Sequence, residues 1–357
     1  MADLKHENTP PLNEDDLTMM AEKAQIDFSR IDRIFDVHYG RTVTRWTLLL
    51  PGTGCSWVRK SHGGCTFCGY HLAIDKTTGG RLFSKEELLT LCKIGRTVFK
   101  NDLPENLTIY MGGNFTNDKE IPHDAQVAIC QMVRSDPGVT SLLIETRVEH
   151  IREERIKELS GALGPGKTLR IGIGLESQDD EIRQKVINKG VTKKAYERAI
   201  DLLHRYGVEV LTYVFIKPMT LTEQEAVNEA VATALYAHRV GSDQVAFEAA
   251  LIQKDTPMGN AYEQNQFRPP WMWSIVEVLR KTHHLGNTQV GKFKDEPPPL
   301  AGPKNCPKCT ESFHDLFQQY RVTRNISVFD SVDCSCRREW QEFLVSDTRL
   351  RSKNIDS

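Results

Sequence analysis

Between residues 45 and 249, six β-prone runs alternate with helical patterns, and this alternation restricts the fold more than any other feature of the chain. The runs are 45–50 (RWTLLL), 107–111 (LTIYM), 141–145, 169–175 (LRIGIGL), 208–216 (VEVLTYVFI) and 244–249. A capping box, Ser84-x-x-Glu87, opens the first helix, which carries Leu88, Leu91 and Val98 on one face. Further helical patterns cover about 124–134, the segment marked by Ile151, Ile156 and Leu159, 179–188 and 192–206, and one more starts at Thr222-x-x-Glu225. Strand–helix alternation means βαβ units and a parallel sheet. Six such units predict an α/β fold with a partial (β/α)6 barrel of the TIM type rather than a closed eight-fold one. A doubly wound open sheet has the same periodicity and stays as the competing architecture. Glycines and polar residues cluster just after the strands, at the rim where barrels place their chemistry.

The 357 residues can bury a full core, and 39% apolar with 26% charged residues is ordinary for a globular protein. No apolar run is long enough to span a membrane, and residues 1–13 are polar and acidic, without a secretory signal's basic start. The expectation is a cytoplasmic chain with no membrane partner. A net charge of −2 gives no bulk attraction for nucleic acid, so any phosphate contact must come from a local patch. Nine cysteines, an odd number without a signal, argue for metal sites and against a disulfide framework. Cys92 and Cys130 stand alone in apolar helical patterns and read as small buried hydrophobes.

The first cysteine cluster follows the first strand directly: Pro51-Gly-Thr-Gly-Cys55, nine residues, then Cys65-Thr-Phe-Cys68-Gly-Tyr70. Thiolates suit iron–sulfur clusters, and three of them on a cubane leave one iron open to a further ligand. A zinc site completed by His62 or His71 is the alternative. The Cys-x2-Cys pair, the aromatic residue before its second cysteine and the position after the first strand resemble the radical S-adenosylmethionine (SAM) superfamily. The gap of nine residues departs from its commonest pattern, and 56–64 (SWVRKSHGG) reads as a loop insertion.

Other segments extend the resemblance. Met111-Gly-Gly-Asn114 lies where that superfamily has a Gly-Gly-Glu-like turn. Ile144-Glu-Thr-Arg147, Ile171-Gly-Ile-Gly-Leu-Glu-Ser177 and the helix in 177–190 are similar to the branch holding Elongator's catalytic subunit and the methylthiotransferases. More closely, 45–55, Gly63-Gly64-Cys65, Gly113-Asn-Phe115 and Ile144-Glu-Thr-Arg147 resemble the archaeosine-forming radical SAM lyases, the RaSEA family. The resemblance implies a 4Fe–4S cluster on Cys55, Cys65 and Cys68. It implies that Gly112, Gly113 and Asn114 meet the SAM ammonium, that Glu145 and Glu176 face its ribose or methionine end, and that Lys189 meets its carboxylate. From the residues alone, Glu145 and Glu176 are equally solvated strand ends and Lys189 an exposed helix terminus. The implied substrate is tRNA bearing, at position 15 of the D-loop, a deazaguanine joined to lysine by the transglycosylase-like partner ArcS. The implied reaction is lysine C–N cleavage through a 5′-deoxyadenosyl radical, with an electron donor of ferredoxin or flavodoxin type. Another radical SAM tRNA modifier, methylthiotransferase-like or Elongator-like, and a non-catalytic iron–sulfur or zinc RNA-binding subunit are the competing readings.

The tail reads Cys306-Pro-Lys-Cys309, twenty-four residues, Cys334-Ser-Cys336. Two thiolate pairs suit a structural tetrahedral zinc, with His314 a possible substitute ligand and a second iron–sulfur cluster the rival. Arg321, Arg324, Arg337 and Arg338 lie in or beside this module and are candidate phosphate contacts, offset by neighbouring acids. Trp271-Met-Trp273 reads as a buried helix start. The expected organisation is an N-terminal helical extension over 1–40, a radical SAM partial barrel over 41–285 and a C-terminal zinc-binding module over 286–357.

Overall fold

A computed structural model describes residues 12–23, 28–60, 63–97, 99, 103–293 and 298–353. Val98 and His62 lie outside the described residues. The chain begins with α1 (Glu14–Lys23), β1 (Ser29–Asp36) and β2 (Arg41–Leu49), followed by α2 (Tyr70–Thr78) and α3 (Lys85–Thr97). The repeating part continues with β3 (Asn106–Tyr110), α4 (His123–Ser135), β4 (Ser141–Glu145), α5 (Glu153–Leu163), β5 (Thr168–Glu176) and α6 (Lys193–Arg205). It ends with β6 (Glu209–Ile216), α7 (Glu223–Arg239), β7 (Gln244–Ala249), α8 (Pro257–Glu263) and α9 (Met272–Thr282). A short β8 (Thr288–Val290) then precedes α10 (Thr310–Thr323) and α11 (Cys336–Lys353). Both expected capping boxes are formed: Ser84 and Glu87 bond reciprocally, as do Thr222 and Glu225.

The eight strands lie in sequence order, with β2 to β8 parallel and β1 antiparallel to β2. A doubly wound sheet reverses its order at a switch point, so that architecture is ruled out. Side chains show that the sheet curls. In a flat sheet β1 and β5 would stand about 19 Å apart at ~4.8 Å per strand, yet Asp36 on β1 bonds Arg170 on β5. The far edges also meet: Gln289 Nε2 of β8 donates to the Phe35 carbonyl of β1 at 3.1 Å. The six parallel strands β2 to β7 each lead into a helix, which makes the partial (β/α)6 barrel.

Two elements fall where the sequence suggested neither. Residues 29–36 form β1, within the stretch read as a helical extension. Its sequence SRIDRIFD hides the β pattern because charged residues point inward and pair there, Asp32 with Arg45 and Asp36 with Arg170. β8 lies in the proline-rich connector and is only three residues long. Beyond it, the cysteine-rich segment joins the barrel. α10 lies over the seam between β1 and β8: Thr42 Oγ1 donates to the Val322 carbonyl at 2.7 Å, and Arg324 Nε to that of Thr288 at 3.1 Å. Its buried face carries Phe313, Phe317 and Tyr320, which pack in one apolar cluster with Phe247 of β7 and Trp273 of α9. Cys92 and Cys130 are fully buried among apolar side chains. Among the described residues no helix is long and apolar enough to cross a membrane.

Phe317 meets Phe293 edge-on at 4.7 Å and Phe329 at 4.9 Å within this cluster. Phe317→Ala should therefore cost about 3–5 kcal/mol. Because α10 fills the seam, denaturant unfolding followed by circular dichroism should show one cooperative transition, shifted as a whole. An unchanged barrel transition with a separate early one would show that the segment folds apart.

Candidate active site

At the C-terminal ends of β2 to β5, one cavity of about 780 Å³ is lined by Cys55, Cys65 and Cys68 and by Gly112, Gly113 and Asn114. Glu145, Glu176 and Lys189 line the same cavity, so the structure brings all nine of these residues together. Burial pushes up the thiols of Cys65 and Cys68, the latter to about 12. Such thiols are inert unless a metal replaces the proton.

The inserted loop between Cys55 and Cys65 is docked. Trp57 Nε1 donates to the Asn188 carbonyl at 2.8 Å, and Asn188 Nδ2 donates to the Gly64 carbonyl at 2.6 Å. The Thr66 amide donates to the Ile187 carbonyl at 3.0 Å. The turn 186–190, which carries Lys189, thus fixes the path from the first cysteine to the second. Gly190 makes this docking possible, since a Cβ there would lie 2.2 Å from the Trp57 ring.

Glu120 holds the loop from the other side, and no motif in the sequence marked it. Its buried carboxylate accepts from the Ser56 amide at 2.9 Å, Asn114 Nδ2 at 2.8 Å and Asn117 Nδ2 at 2.7 Å, and from the Asn114 amide. One acid therefore joins the cysteine loop to the Gly-Gly turn. Gly113 is needed for this approach, because a Cβ there would fall 2.3 Å from Glu120 Oε2. Asn114, expected to face the SAM ammonium, is engaged within the protein. Its Oδ1 accepts from the Arg147 amide at 2.9 Å, and its Nδ2 lies 3.5 Å from the Cys55 sulfur.

Deeper in, Glu176 and Lys189 form a buried ion pair of 2.7 Å. Burial works against the Lys189 charge, but Glu176 and Cys65 outweigh it and lift the amine to about 12. Glu176 has φ 66° at a register shift in β5, the strained backbone typical of functional sites. The Gly172-x-Gly174 pattern is explained here: a Cβ on Gly174 would lie 2.2 Å from Lys189 Nζ, and one on Gly172 would crowd Tyr213 and Glu145. Burial raises the Glu145 carboxyl to about 7, against the lowering effect of Tyr213 and Lys189. Arg147 stacks on Trp57 at 4.5 Å and bonds Glu149, but its buried Nη2 has no hydrogen-bond partner among the described residues.

The second cysteine set is compact. Cys306 Sγ lies 3.6 Å from that of Cys309 and 3.5 Å from that of Cys334, and Cys309 Sγ lies 3.5 Å from that of Cys336. Four ligands ~2.3 Å from a tetrahedral zinc stand about 3.8 Å apart, so the spacing fits one ion. Among the described residues this is the one group of three or more metal-binding side chains whose donor atoms all lie within 4.8 Å, and His314 is not part of it. Cys55, Cys65 and Cys68 are not drawn together in that way, and neither is His71 with them. That wider arrangement suits a cluster with one thiolate per iron and not a single ion. Trp273 is buried, as expected, and its Nε1 donates to the Cys336 sulfur at 3.3 Å. Of the four tail arginines, Arg337 and Arg338 are exposed, whereas Arg321 and Arg324 line the barrel cavity. These two turn inward because α10 packs its last turns against the seam.

The family profile described as the Radical SAM superfamily matches residues 52–230. Among curated proteins, archaeosine synthase subunit beta of Methanosarcina acetivorans is 31% identical over 309 residues, 84% of each chain. The protein of that name from Thermococcus kodakarensis is 27% identical over 87% of this chain and 94% of its own. Among solved structures, methylornithine synthase aligns over 79% of this chain and 75% of its own, at 16% identity and a TM-score of 0.48.

Glu120 allows a direct test of the site's architecture. Glu120→Gln sets an amide NH2 against donors and should cost about 1–3 kcal/mol. The loss should appear locally, as reduced iron loading after anaerobic reconstitution. Full iron content with unchanged thermal stability would remove Glu120 from this role.

Proposed function

The chain belongs to the radical SAM superfamily and, within it, to the family of the archaeosine synthase beta subunits, and on that premise we propose that it cleaves lysine from a 7-deazaguanine at position 15 of the tRNA D-loop, leaving the amidine of archaeosine. The observation that carries this reading is the relationship over 84% of the Methanosarcina acetivorans chain, together with the single cavity that unites the cysteine loop and the polar strand ends. Cys55, Cys65 and Cys68 would hold a 4Fe–4S cluster, whose chemistry when bound would be the one-electron cleavage of SAM to methionine and a 5′-deoxyadenosyl radical.

The chain's own residues bind, orient and exclude water. Gly112 and Gly113 let the backbone approach the SAM amino group, while Glu120 and Asn114 hold the turn in place. The unpartnered Arg147 Nη2 and the Lys189 ammonium face the SAM carboxylate. Glu145 and Glu176 meet the ribose or the methionine end. The overall reaction balances with SAM as two-electron oxidant. The lysine ε-carbon gives up a hydrogen atom, which ends in 5′-deoxyadenosine, and an electron, which replaces the one spent on SAM. Water adds to that carbon with loss of a proton, and the C–N bond then breaks with its electron pair and the hydroxyl proton going to the amidine nitrogen. The products are methionine, 5′-deoxyadenosine, the amidine and aminoadipate semialdehyde. The substrate is supplied by a lysine-transferring partner such as ArcS, and the priming electron by a ferredoxin- or flavodoxin-type donor. The second cysteine set holds zinc in a structural role, on the spacing of its four sulfurs.

Two experiments test this reading. Wild-type protein reconstituted anaerobically should hold about four irons and one zinc per chain. A Cys55→Ala, Cys65→Ala and Cys68→Ala triple variant should lose the iron and SAM cleavage but keep the zinc. A strain lacking the protein should accumulate the lysine-bearing nucleoside by mass analysis of its tRNA. Iron retained by the variant, or archaeosine still made in the strain, would overturn the assignment.

A pH profile checks Glu145. With its carboxyl raised to about 7, it is neutral below that pH and negative above it. SAM carries a sulfonium and an ammonium, so its affinity should rise between about pH 6 and 8, by roughly 1 kcal/mol for one charge-assisted contact. Glu145→Gln should show a flat profile at the weaker, low-pH level.

A further inference from the structure

The cavity has a second charged wall that the cluster and SAM do not use. Arg45, Lys292 and Arg321 line it, coming from β2, the segment just after β8 and α10. All three face one carboxylate, Asp32 of β1. Arg45 grips Asp32 at 2.9 and 2.7 Å, Lys292 Nζ lies 2.8 Å away, and Arg321 Nη2 stands at 3.6 Å, outside hydrogen-bond reach. Asp32 is not among the cavity-lining residues, so the cations form the surface and their counter-charge lies behind them. Among the described residues Glu248 is the one further acid beside Arg321 on this wall, which sets these three cations against two carboxylates. The Arg321 and Arg45 side chains are only 8% and 14% exposed. A surplus of cations held away from water is costly unless an anion completes it. Consistent with that surplus, burial and the neighbouring Arg45 hold the Arg321 guanidinium down at about 10.

We propose that Arg45, Lys292 and Arg321 form a receptor for the carboxylate of the amino acid carried by the substrate nucleotide. The proposal rests on the lysine-bearing substrate of the preceding section and names what reads its far end. Position supports it. Arg45 lies four residues before the end of β2, roughly 13 Å below the rim at ~3.3 Å per residue. A base entering from the rim thus directs its appended chain toward this wall. A carboxylate here gains charge-assisted hydrogen bonds from two guanidinium groups, which can bind it in a fork. SAM also carries a carboxylate, so the test must separate the two sources.

Two tRNAs are compared on the cluster-loaded protein, one bearing the lysine-modified base and one bearing 1,5-diaminopentane in place of lysine, which lacks only the carboxylate. Wild type should bind the first about tenfold more tightly or better. Arg321→Gln and Lys292→Met should each erase the difference while leaving SAM affinity unchanged. Lys292 is the more exposed, so its variant keeps the test valid if Arg321→Gln disturbs α10. Loss of SAM affinity in Lys292→Met, or a tRNA preference that survives in that variant, would overturn the receptor. Titration with free L-lysine and 1,5-diaminopentane separates it from the substrate reading. A wild type that ignores lysine on tRNA but prefers free L-lysine, with the preference lost in Lys292→Met, keeps the receptor and drops the substrate. One that shows neither preference overturns the receptor as well.

Discussion

A sheet of eight strands in sequence order must either stay open, with two bare edges, or curl until they meet, and the rest of this structure depends on the second outcome. The curl is held by polar contacts across the barrel. Asp36, Arg170, Asn106 and Ser141 form a chain from β1 to β5 through the N-terminal end of the barrel, and Gln289 reaches Phe35 across the seam. Arg170 also pairs with Glu209, so one buried guanidinium serves two acids on different strands. Removing either end would leave an uncompensated charge in the interior, the costly form of a buried ion pair. The seam is still too wide for strands alone, and α10 supplies the missing wall in aromatic side chains.

Within that frame the site is made largely by leaving out side chains. Gly113, Gly172, Gly174 and Gly190 each stand where a Cβ would collide with a functional group, respectively Glu120, Tyr213, Lys189 and Trp57. Three different loops are thereby drawn to within hydrogen-bond distance of one another. The insertion between Cys55 and Cys65 is consequently no slack in the cysteine loop. Its Trp57 reads the turn that carries Lys189 on one edge and stacks on Arg147 on its face, so cluster loop and polar wall are set by the same ring.

How much of this the sequence discloses depends on whether a residue's partner lies nearby in the chain. The six parallel strands, the capping boxes and the cysteine pairs are local patterns, and they were legible. The family resemblance added Glu145, Glu176 and Lys189, which spacing alone does not separate from solvated ends. Glu120 was illegible because the donor that gives it its role, the Ser56 amide, lies in a distant loop, and an acid after a turn looks like a solvated one. β1 was hidden because its inward side chains are charged, which cancels the alternation that identifies a strand. The inward turn of Arg321 and Arg324 could not be read either. On the sequence they belong to a small arginine-rich module, and only the seam shows that the helix carrying them faces a cavity.

The cysteine-rich tail gains a role from this geometry that a separate module would not have. Cys309 stands at the N-cap position of α10, and Cys336 begins α11, so an ion bound by both would fix where the two helices start. α10 is fourteen residues long, about 21 Å at ~1.5 Å per residue, with Cys309 just before its first turn and Arg321 in its last. A rigid helix transmits its starting position to its end. The four thiols and the barrel cavity are thus connected mechanically although they share no side chain. Trp273 strengthens the link, since it donates to the Cys336 sulfur and packs edge-on against Phe313 of α10 at 4.6 Å. An ion held by these four thiols would therefore set the position of a charge inside the barrel by holding the helix that carries it.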